Sequence, residues 1–233
     1  MNPRDNETYR HELRATIEDN YSPFKHITFN TVIALMPAII FGLMLMCAGP
    51  ISSFSLLAIP LGLILGNCIE YFTHRYPMHR PRWSKKSRMY KRHAGQHHRA
   101  FTHDFMMIDN SRDLALIMLP AKYVLVFSIV SVLFALMSFD IFLGTFGHIL
   151  CITLSVYFFI EEMLHALFHT QWMWKNNNIL RPLAMHHRIH HETKNMRRHN
   201  FNIVFPLFDV ICGTMLRSQP AVPHVKTRND GVT

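Results

Sequence analysis

Polar and apolar positions in this chain are segregated into long blocks. After a polar stretch of mixed charge over residues 1–25, no charged residue occurs from Ile27 to Ala48, enough to cross the hydrocarbon core of a bilayer. Gly49-Pro50 breaks that run, and a second uncharged run extends from Ile51 to Cys68. Two spans separated by so few residues predict a tight hairpin. A third run covers Leu114 to Phe139 and is interrupted by Pro120 and Lys122. Leu114–Pro120 is therefore expected at the interface, with Lys122 snorkelling and the crossing made from Tyr123 onward. The fourth run, Ile141 to Ile160, ends at Glu161-Glu162. The pattern predicts an all-α fold: an integral membrane four-transmembrane-helix bundle carrying a cytoplasmic histidine-rich helical cap. The length and purity of the runs argue against a soluble bundle. The expected division is a polar segment over 1–26, a membrane catalytic unit over 27–217 and a tail over 218–233. Within the first segment Leu13 and Ile17 stand at i, i+4, which fits either a short surface helix or a frayed tail.

Composition sharpens this picture through its distribution. Charged residues make up only 17%, below the quarter usual in soluble domains, and they lie almost entirely between the runs. The net charge is +9, from 24 Lys and Arg against 15 Asp and Glu. With four spans, every one of those cations except Lys122 falls in residues 1–26, 73–113 or 170–233, all on one side. The two opposite turns, around Gly49-Pro50 and Phe139-Asp140, hold none. The positive-inside rule then places both termini and the long central loop in the cytoplasm. It also accounts for the net charge without nucleic acid as a partner. The four cysteines (Cys47, Cys68, Cys151, Cys212) are scattered, so neither a disulfide framework nor a thiolate zinc finger is indicated. Met1 to Asn20 is too polar for a signal peptide.

Histidine supplies the candidate chemistry. His187, His190 and His191 stand at i, i+3 and i+4, offsets that share a helix face and could converge on one ion. A core gains nothing from stacked imidazoles, each of which needs a partner when buried, whereas neutral imidazole is the commonest metal ligand. His93 and His97 are also at i, i+4, as are His165 and His169. His74 and His79 are at i, i+5 with Pro77 between, a poor match to one α-helical face. In the topology above, all these clusters lie on the same membrane side. With His98 they make ten imidazoles, more than one structural zinc uses and suited to two ions with about five ligands each. Nitrogen ligation without thiolate fits iron, and zinc could occupy the same nitrogens in vitro. His103, Asp104, Glu161, Glu162, Glu192 and His199 adjoin these positions and could orient second ring nitrogens. For the carboxylates, solvation or helix capping is the plainer reading. His186 is expected to face away from its neighbours, and His148, inside a span, to pack between helices.

The stretches His74-Arg75-Tyr76-Pro77-Met78-His79, His93-Ala94-Gly95-Gln96-His97-His98, His165-Ala166-Leu167-Phe168-His169 and His187-Arg188-Ile189-His190-His191, in this order, resemble the fatty acid hydroxylase/sterol desaturase superfamily. Among these membrane di-iron enzymes the pattern looks most like the fatty acid 2-hydroxylases. The resemblance runs from about Asn67 to Thr214. Its end, Asn200-Phe201-Asn202 through Asp209 to Gly213-Thr214, is similar to the family's NFG…WDxxFGT close. Three residues separate His93 from His97 where that branch usually has two, Asn202 stands where glycine is frequent, and Cys212 where phenylalanine is.

The resemblance implies O2 activation at two iron ions and hydroxylation of a lipid, a fatty acyl chain first among the candidates. Desaturation by the same superfamily chemistry is the alternative, because both reactions begin with hydrogen abstraction. It also implies a separate electron donor, cytochrome b5-like or ferredoxin-like with its reductase, because the chain has no room for a fused one. A non-enzymatic metal-binding or transporting membrane protein is the competing class. A transporter would need polar groups at mid-membrane, and beyond His148 and some hydroxyls these runs offer few.

Overall fold

The computed structural model describes residues 3–80, 87–139 and 144–217 and contains no strand among them. The expected turn at Phe139-Asp140 and the expected tail over 218–233 lie largely outside the described residues. Helix α1 covers Pro3–Ala15. Helix α2 covers Pro23–Cys47, with Pro23 in its first turn and Ser22 as N-cap accepting from the Lys25 amide at 3.3 Å, the usual start for a helix. A 3₁₀ turn at Ser55–Leu57 leads into α3, Ala58–Thr73. Helices α4, Leu114–Ile117, and α5, Ala121–Phe139, follow the central loop. Helix α6 runs from Gly144 to Phe168. Three short helices follow among the described residues: α7 (Gln171–Asn176), α8 (Arg181–His190) and α9 (Leu207–Ile211).

Among the described residues, three helical stretches are long and apolar enough to cross a membrane: Pro23–Cys47, Ser55–Met78 and Thr145–Phe168. A fourth would be the pair Ser111–Ile117 and Ala121–Phe134, bent by 49°. That bend falls at the expected break, because Pro120 pushes the residues before it out of helical conformation. The freed backbone groups are then met by side chains. Leu119 N donates to Glu162 at 2.7 Å, Leu119 O accepts from Asn30 Nδ2 at 2.8 Å and from His26 Nε2 at 3.0 Å, and Met118 O accepts from Arg92 at 2.7 Å. Outward positions of α2 such as Ile39, Leu43 and Met46 are exposed by 61% or more, which suits a hydrocarbon surrounding and not water.

Helix α6 is the axis of the bundle and packs against α2, α3 and α5. Its closest approach to α3 uses Gly62 and Gly66, a G-x-x-x-G spacing that lets membrane helices touch. A Cβ on Gly62 would lie 2.8 Å from Thr153 Cγ2, and one on Gly66 would lie 2.6 Å from the Tyr157 ring. Buried polar groups lock the same seam. Asn67 Nδ2 donates to Tyr157 Oη at 2.9 Å, and Tyr157 donates to Glu70. His148 packs its ring edge-on to Phe41 of α2, with centroids 5.5 Å apart.

Of the two options left open for the N-terminal segment, the structure contains a docked helix. Leu13 is buried with Phe101 and Ile117. Arg10 donates to the carbonyls of Ala100, Phe105 and Met107 at 2.6–3.1 Å, and Arg14 pairs with Asp113. Helix α1 thus clamps the central loop. Gly66→Leu should separate α3 from α6 and destabilise the protein by at least the ~1–3 kcal/mol typical of overpacking. Thermal unfolding in detergent should show a clearly lowered midpoint, and an unchanged midpoint would mean that the seam tolerates a side chain.

Candidate metal centre

The ten imidazoles singled out by sequence gather into two groups of five at the end of the bundle where α3 and α6 finish. His74, His79, His93, His98 and His190 form the first, and His97, His165, His169, His187 and His191 the second. Within each group one nitrogen per ring lies within 4.8 Å of all the others. His93 is partly exposed, while the other nine are no more than 7% exposed.

Local helix geometry sorts the rings. The second group is built from two α-helical i, i+4 pairs, His165/His169 at the end of α6 and His187/His191 at the end of α8, joined by His97. The first is built from two i, i+5 pairs. His74 begins a π-helical turn at His74–Met78, and His93 sits in a second one at Lys91–His97. A π turn closes at i→i+5, so His79 returns beside His74 with ring centroids 4.9 Å apart, and His98 beside His93 at 4.8 Å. This resolves the poor α-helical match of His74 and His79. It also corrects two sequence expectations. His93 and His97 do not act as one pair, since His97 joins the second group. Likewise His187, His190 and His191 do not converge on one point, since His190 joins the first.

The rings meet through Nε2. In the first group Nε2–Nε2 separations are 2.8 Å for His74–His93, 3.2 Å for His93–His98 and 3.0 Å for His79–His190. In the second they are 3.2 Å for His97–His165, 3.3 Å for His169–His187 and 3.0 Å for His187–His191. Four rings direct Nδ1 at backbone carbonyls: His74 to Phe201, His169 to Met106, His190 to His199 and His191 to Phe101. A carbonyl only accepts, so each Nδ1 carries the proton and each of those Nε2 atoms is a bare lone pair. His187 Nε2 therefore faces two bare nitrogens, on His169 and His191, and can donate to one at most. Hydrogen bonds among the rings cannot satisfy the cluster, whereas a cation would.

The spacing fits such a cation. Two nitrogens bound at ~2.1 Å and at right angles are about 3.0 Å apart, against about 3.4 Å in a tetrahedron. The observed separations, from 2.8 to 3.3 Å, are of the size that nitrogens sharing one cation show. Burial also pushes the pKa of His79, His97, His98, His169, His187 and His190 well below the ordinary imidazole value, and that of His191 down to about 3. The rings are therefore neutral, the state a metal requires.

The side chains expected to orient second ring nitrogens are turned elsewhere. Glu162 holds the Leu119 break. Asp104 bonds His103 at 3.0 Å, and Glu192 bonds Asn195 at 2.9 Å. Glu161 faces a recess between helices. His199 contributes its backbone carbonyl to His190, and its ring lies 3.2 Å from Thr214 O. The orienting role falls instead to carbonyls, which a side-chain pattern cannot reveal.

Those carbonyls are themselves held. Asp209 accepts from Phe201 N at 2.9 Å, Asn202 N at 2.8 Å, Thr214 Oγ1 at 2.7 Å and His186 Nε2 at 3.0 Å. Burial alone would raise the Asp209 pKa, but the donors on His186, Asn202, Phe201 and Thr214 outweigh it and hold it below the usual range. His186 thus faces away from the rings, as expected, and ties α8 to this knot. Asn200 joins in, donating to His186 O at 3.0 Å with a positive φ of 60°, a conformation asparagine tolerates better than most residues. Glu70 closes the other side by accepting from Ile203 N and from Asn202 Nδ2. Its position at the end of an apolar run was the available signal in the sequence.

Two outcomes follow. Asp209→Asn replaces one acceptor oxygen with a donor facing other donors, and should lower stability by ~1–3 kcal/mol and reduce bound metal; full metal content would show that the knot is dispensable. For pH, the folded imidazole pKa values lie below the unfolded value near 6.5, so the unfolded chain binds more protons as pH falls. Stability of metal-free protein is therefore fully present above about pH 6.5 and lost below it, by about 1 kcal/mol per imidazole per pH unit. Unfolding in detergent at pH 7.5 and 5.5 should show this fall, and equal midpoints would mean the rings are solvated.

Residues 59–214 match the family described as fatty acid hydroxylase, about two thirds of the chain. No curated protein and no solved structure matches. The matched segment begins in α3 and ends at Thr214, so it contains all ten clustered histidines and the Asp209 knot. The chain belongs to the fatty acid hydroxylase family.

Proposed function

We propose that this protein is a membrane-bound, O2-dependent di-iron lipid hydroxylase acting on a fatty acyl chain, with electrons from a separate cytochrome b5-like or ferredoxin-like donor. The observation that carries the reading is the pair of five-imidazole groups placed side by side at one end of a bundle of apolar helices. One iron is held by His74, His79, His93, His98 and His190, the other by His97, His165, His169, His187 and His191. When bound, the irons supply the O2 and redox chemistry that an unactivated C–H bond demands.

The chain's own residues hold that chemistry in place. The carbonyls of Phe101, Met106, His199 and Phe201 fix ring orientation, as outer partners do around metals generally. Phe101 and Phe201, both fully buried, shield the rings from water. We assign the catalytic unit to residues 27–217, with α1 from the preceding segment clamped onto it. Four spans and the one-sided distribution of Lys and Arg support placing both termini and the metal centre in the cytoplasm.

His97 and His98 are neighbours that serve different groups. His97→Ala and His98→Ala should each lower bound iron from about two per chain toward one, as measured by elemental mass spectrometry on purified protein. Either variant turning over fully after metal depletion would overturn the ligand assignment. In cells, a lipid class should gain one oxygen with wild type and not with His190→Ala. Loss of two hydrogens from that class would make the enzyme a desaturase.

A further inference from the structure

Residues 200–216 carry one charged side chain, Asp209, which is wholly buried, and Arg198 and Arg217 stand at either side. This segment descends along α3 toward the middle of the bundle. Phe201 O meets the ring of His74, Ile203 N meets Glu70, and Phe208 N meets Asn67 at 3.1 Å. From His74 to Asn67 is two helical turns, about 10 Å at 1.5 Å per residue. On the way, Val204 and Phe205 pack against the core cluster that α6 builds from Leu154, Tyr157 and Phe158. The chain turns at α9 and climbs back. Thr214 Oγ1 lies 3.2 Å from Tyr71 Oη, and Leu216 N donates to Asn200 Oδ1 at 2.7 Å.

Most backbone amides of this hairpin have a protein acceptor. The side chains of Asp209, Glu70, Asn67, Asn202 and Asn200 each accept from at least one of them. The amides of Val210, Cys212, Gly213, Thr214 and Met215 donate to carbonyls within the hairpin. Asn67 Nδ2 donates to Phe205 O at 2.7 Å, and Pro206 has no N–H to satisfy. A loop in water has no need of such provision, because water serves any group left over. Irregular backbone at membrane depth does need it, since hydrocarbon serves none. What the hairpin leaves uncovered is apolar. Val210 and Ile211 are 58% and 64% exposed. Phe208 of the same helix packs on Phe72 of α3, itself 42% exposed, with ring centroids 6.2 Å apart. The open face of α9 therefore continues the outward side of α3.

We propose that residues 200–216 form a re-entrant hairpin that enters the bilayer from the histidine-bearing side, with Val210 and Ile211 of α9 in contact with lipid acyl chains. Acyl chains are the occupant that fits. The face carries no charge to steer an aqueous partner, and it is continuous with the outer side of a membrane-spanning helix. The base of the hairpin carries the Phe201 carbonyl that orients His74, so the bilayer abuts a support of the first metal group. The inference concerns the membrane alone and does not depend on the reaction catalysed.

The test is fluorescence quenching of iron-loaded, full-length protein in phosphatidylcholine vesicles. Val210→Cys and Ile211→Cys are each labelled with a thiol-reactive fluorophore in a background carrying Cys47→Ser and Cys212→Ser, the two exposed cysteines. The background without an added cysteine supplies the signal to subtract, and iron content is measured in parallel. Ile64→Cys, on the outward side of α3, is the lipid reference, and Asp19→Cys, fully exposed, the aqueous one. Acyl-brominated phosphatidylcholine should quench positions 210 and 211 as strongly as position 64 and several-fold more strongly than position 19, with aqueous iodide giving the reverse order. Should a labelled chain lose iron, Ile211→Trp in otherwise unaltered protein decides, through the same two quenchers acting on the emission added over wild type. Iodide quenching at 210 and 211 equal to that at 19 overturns the proposal. So does protection from both quenchers, which would mean that a second copy, another protein or the residues after 217 cover the face. Quenching is read without turnover, so such a failure leaves lipid hydroxylation standing, and a failure to find hydroxylated lipid leaves the hairpin's placement unchanged.

Discussion

Ten imidazole rings, in two groups of five, turn their Nε2 atoms toward one another across gaps of about three ångströms, and this arrangement constrains everything around it. Four of those lone pairs are bare because the opposite nitrogen donates to a backbone carbonyl. Burial keeps the rings neutral, so they neither repel as cations nor escape to water. Such a cluster holds its shape only if the carbonyls behind it are immobile, and those carbonyls belong to loops. The rest of the histidine-bearing end serves to stiffen these loops. Arg10 of α1 caps the carbonyls of Ala100, Phe105 and Met107 on one side. Asp209 gathers the amides of Phe201 and Asn202 on the other.

The membrane helices answer to the same requirement. His74 and His165 arrive on α3 and α6, so their separation is set by how closely those helices approach. Gly62 and Gly66 remove the side chains that would hold them apart, and Asn67, Glu70 and Tyr157 lock the contact with buried hydrogen bonds. Glu70 reaches past the seam to Ile203 N and Asn202, joining the helix pair to the Asp209 knot. One buried carboxylate thus couples helix packing to the loop behind His74.

Much of this was legible in the sequence. The uncharged runs from Ile27 and Ile51 and the interruption at Pro120 correspond to α2, α3 and the bend before α5, because hydrocarbon length and proline sterics act on local sequence. The ten histidines stood out because nothing in a core accounts for them. Their partition did not stand out. An α-helical period pairs His93 with His97 and keeps His187, His190 and His191 together, whereas the π turns at His74 and Lys91 shift the return by one residue. Adjacent His97 and His98 therefore part to opposite groups. The role of Asn200, Asn202 and Asp209 was hidden for another reason: their work is done on backbone atoms, whose positions no residue pattern specifies. The Gly62–Gly66 spacing was readable but has meaning only once Tyr157 is known to lie across from it.

The Asp209 knot also fixes when the centre can come into being. Translation delivers the first imidazoles early, on α3, yet the carbonyls that orient His74 and His190 belong to Phe201 and His199, and the groups that steady them extend to Thr214. A nascent chain halted anywhere before that point presents histidines without their supports. The centre thus depends on distant parts of the chain, with α1 closing on the central loop and the segment from Asn200 to Thr214 closing on α3 and α8. Any metal taken up by the rings would find their full set of supports only on chains made through to Thr214.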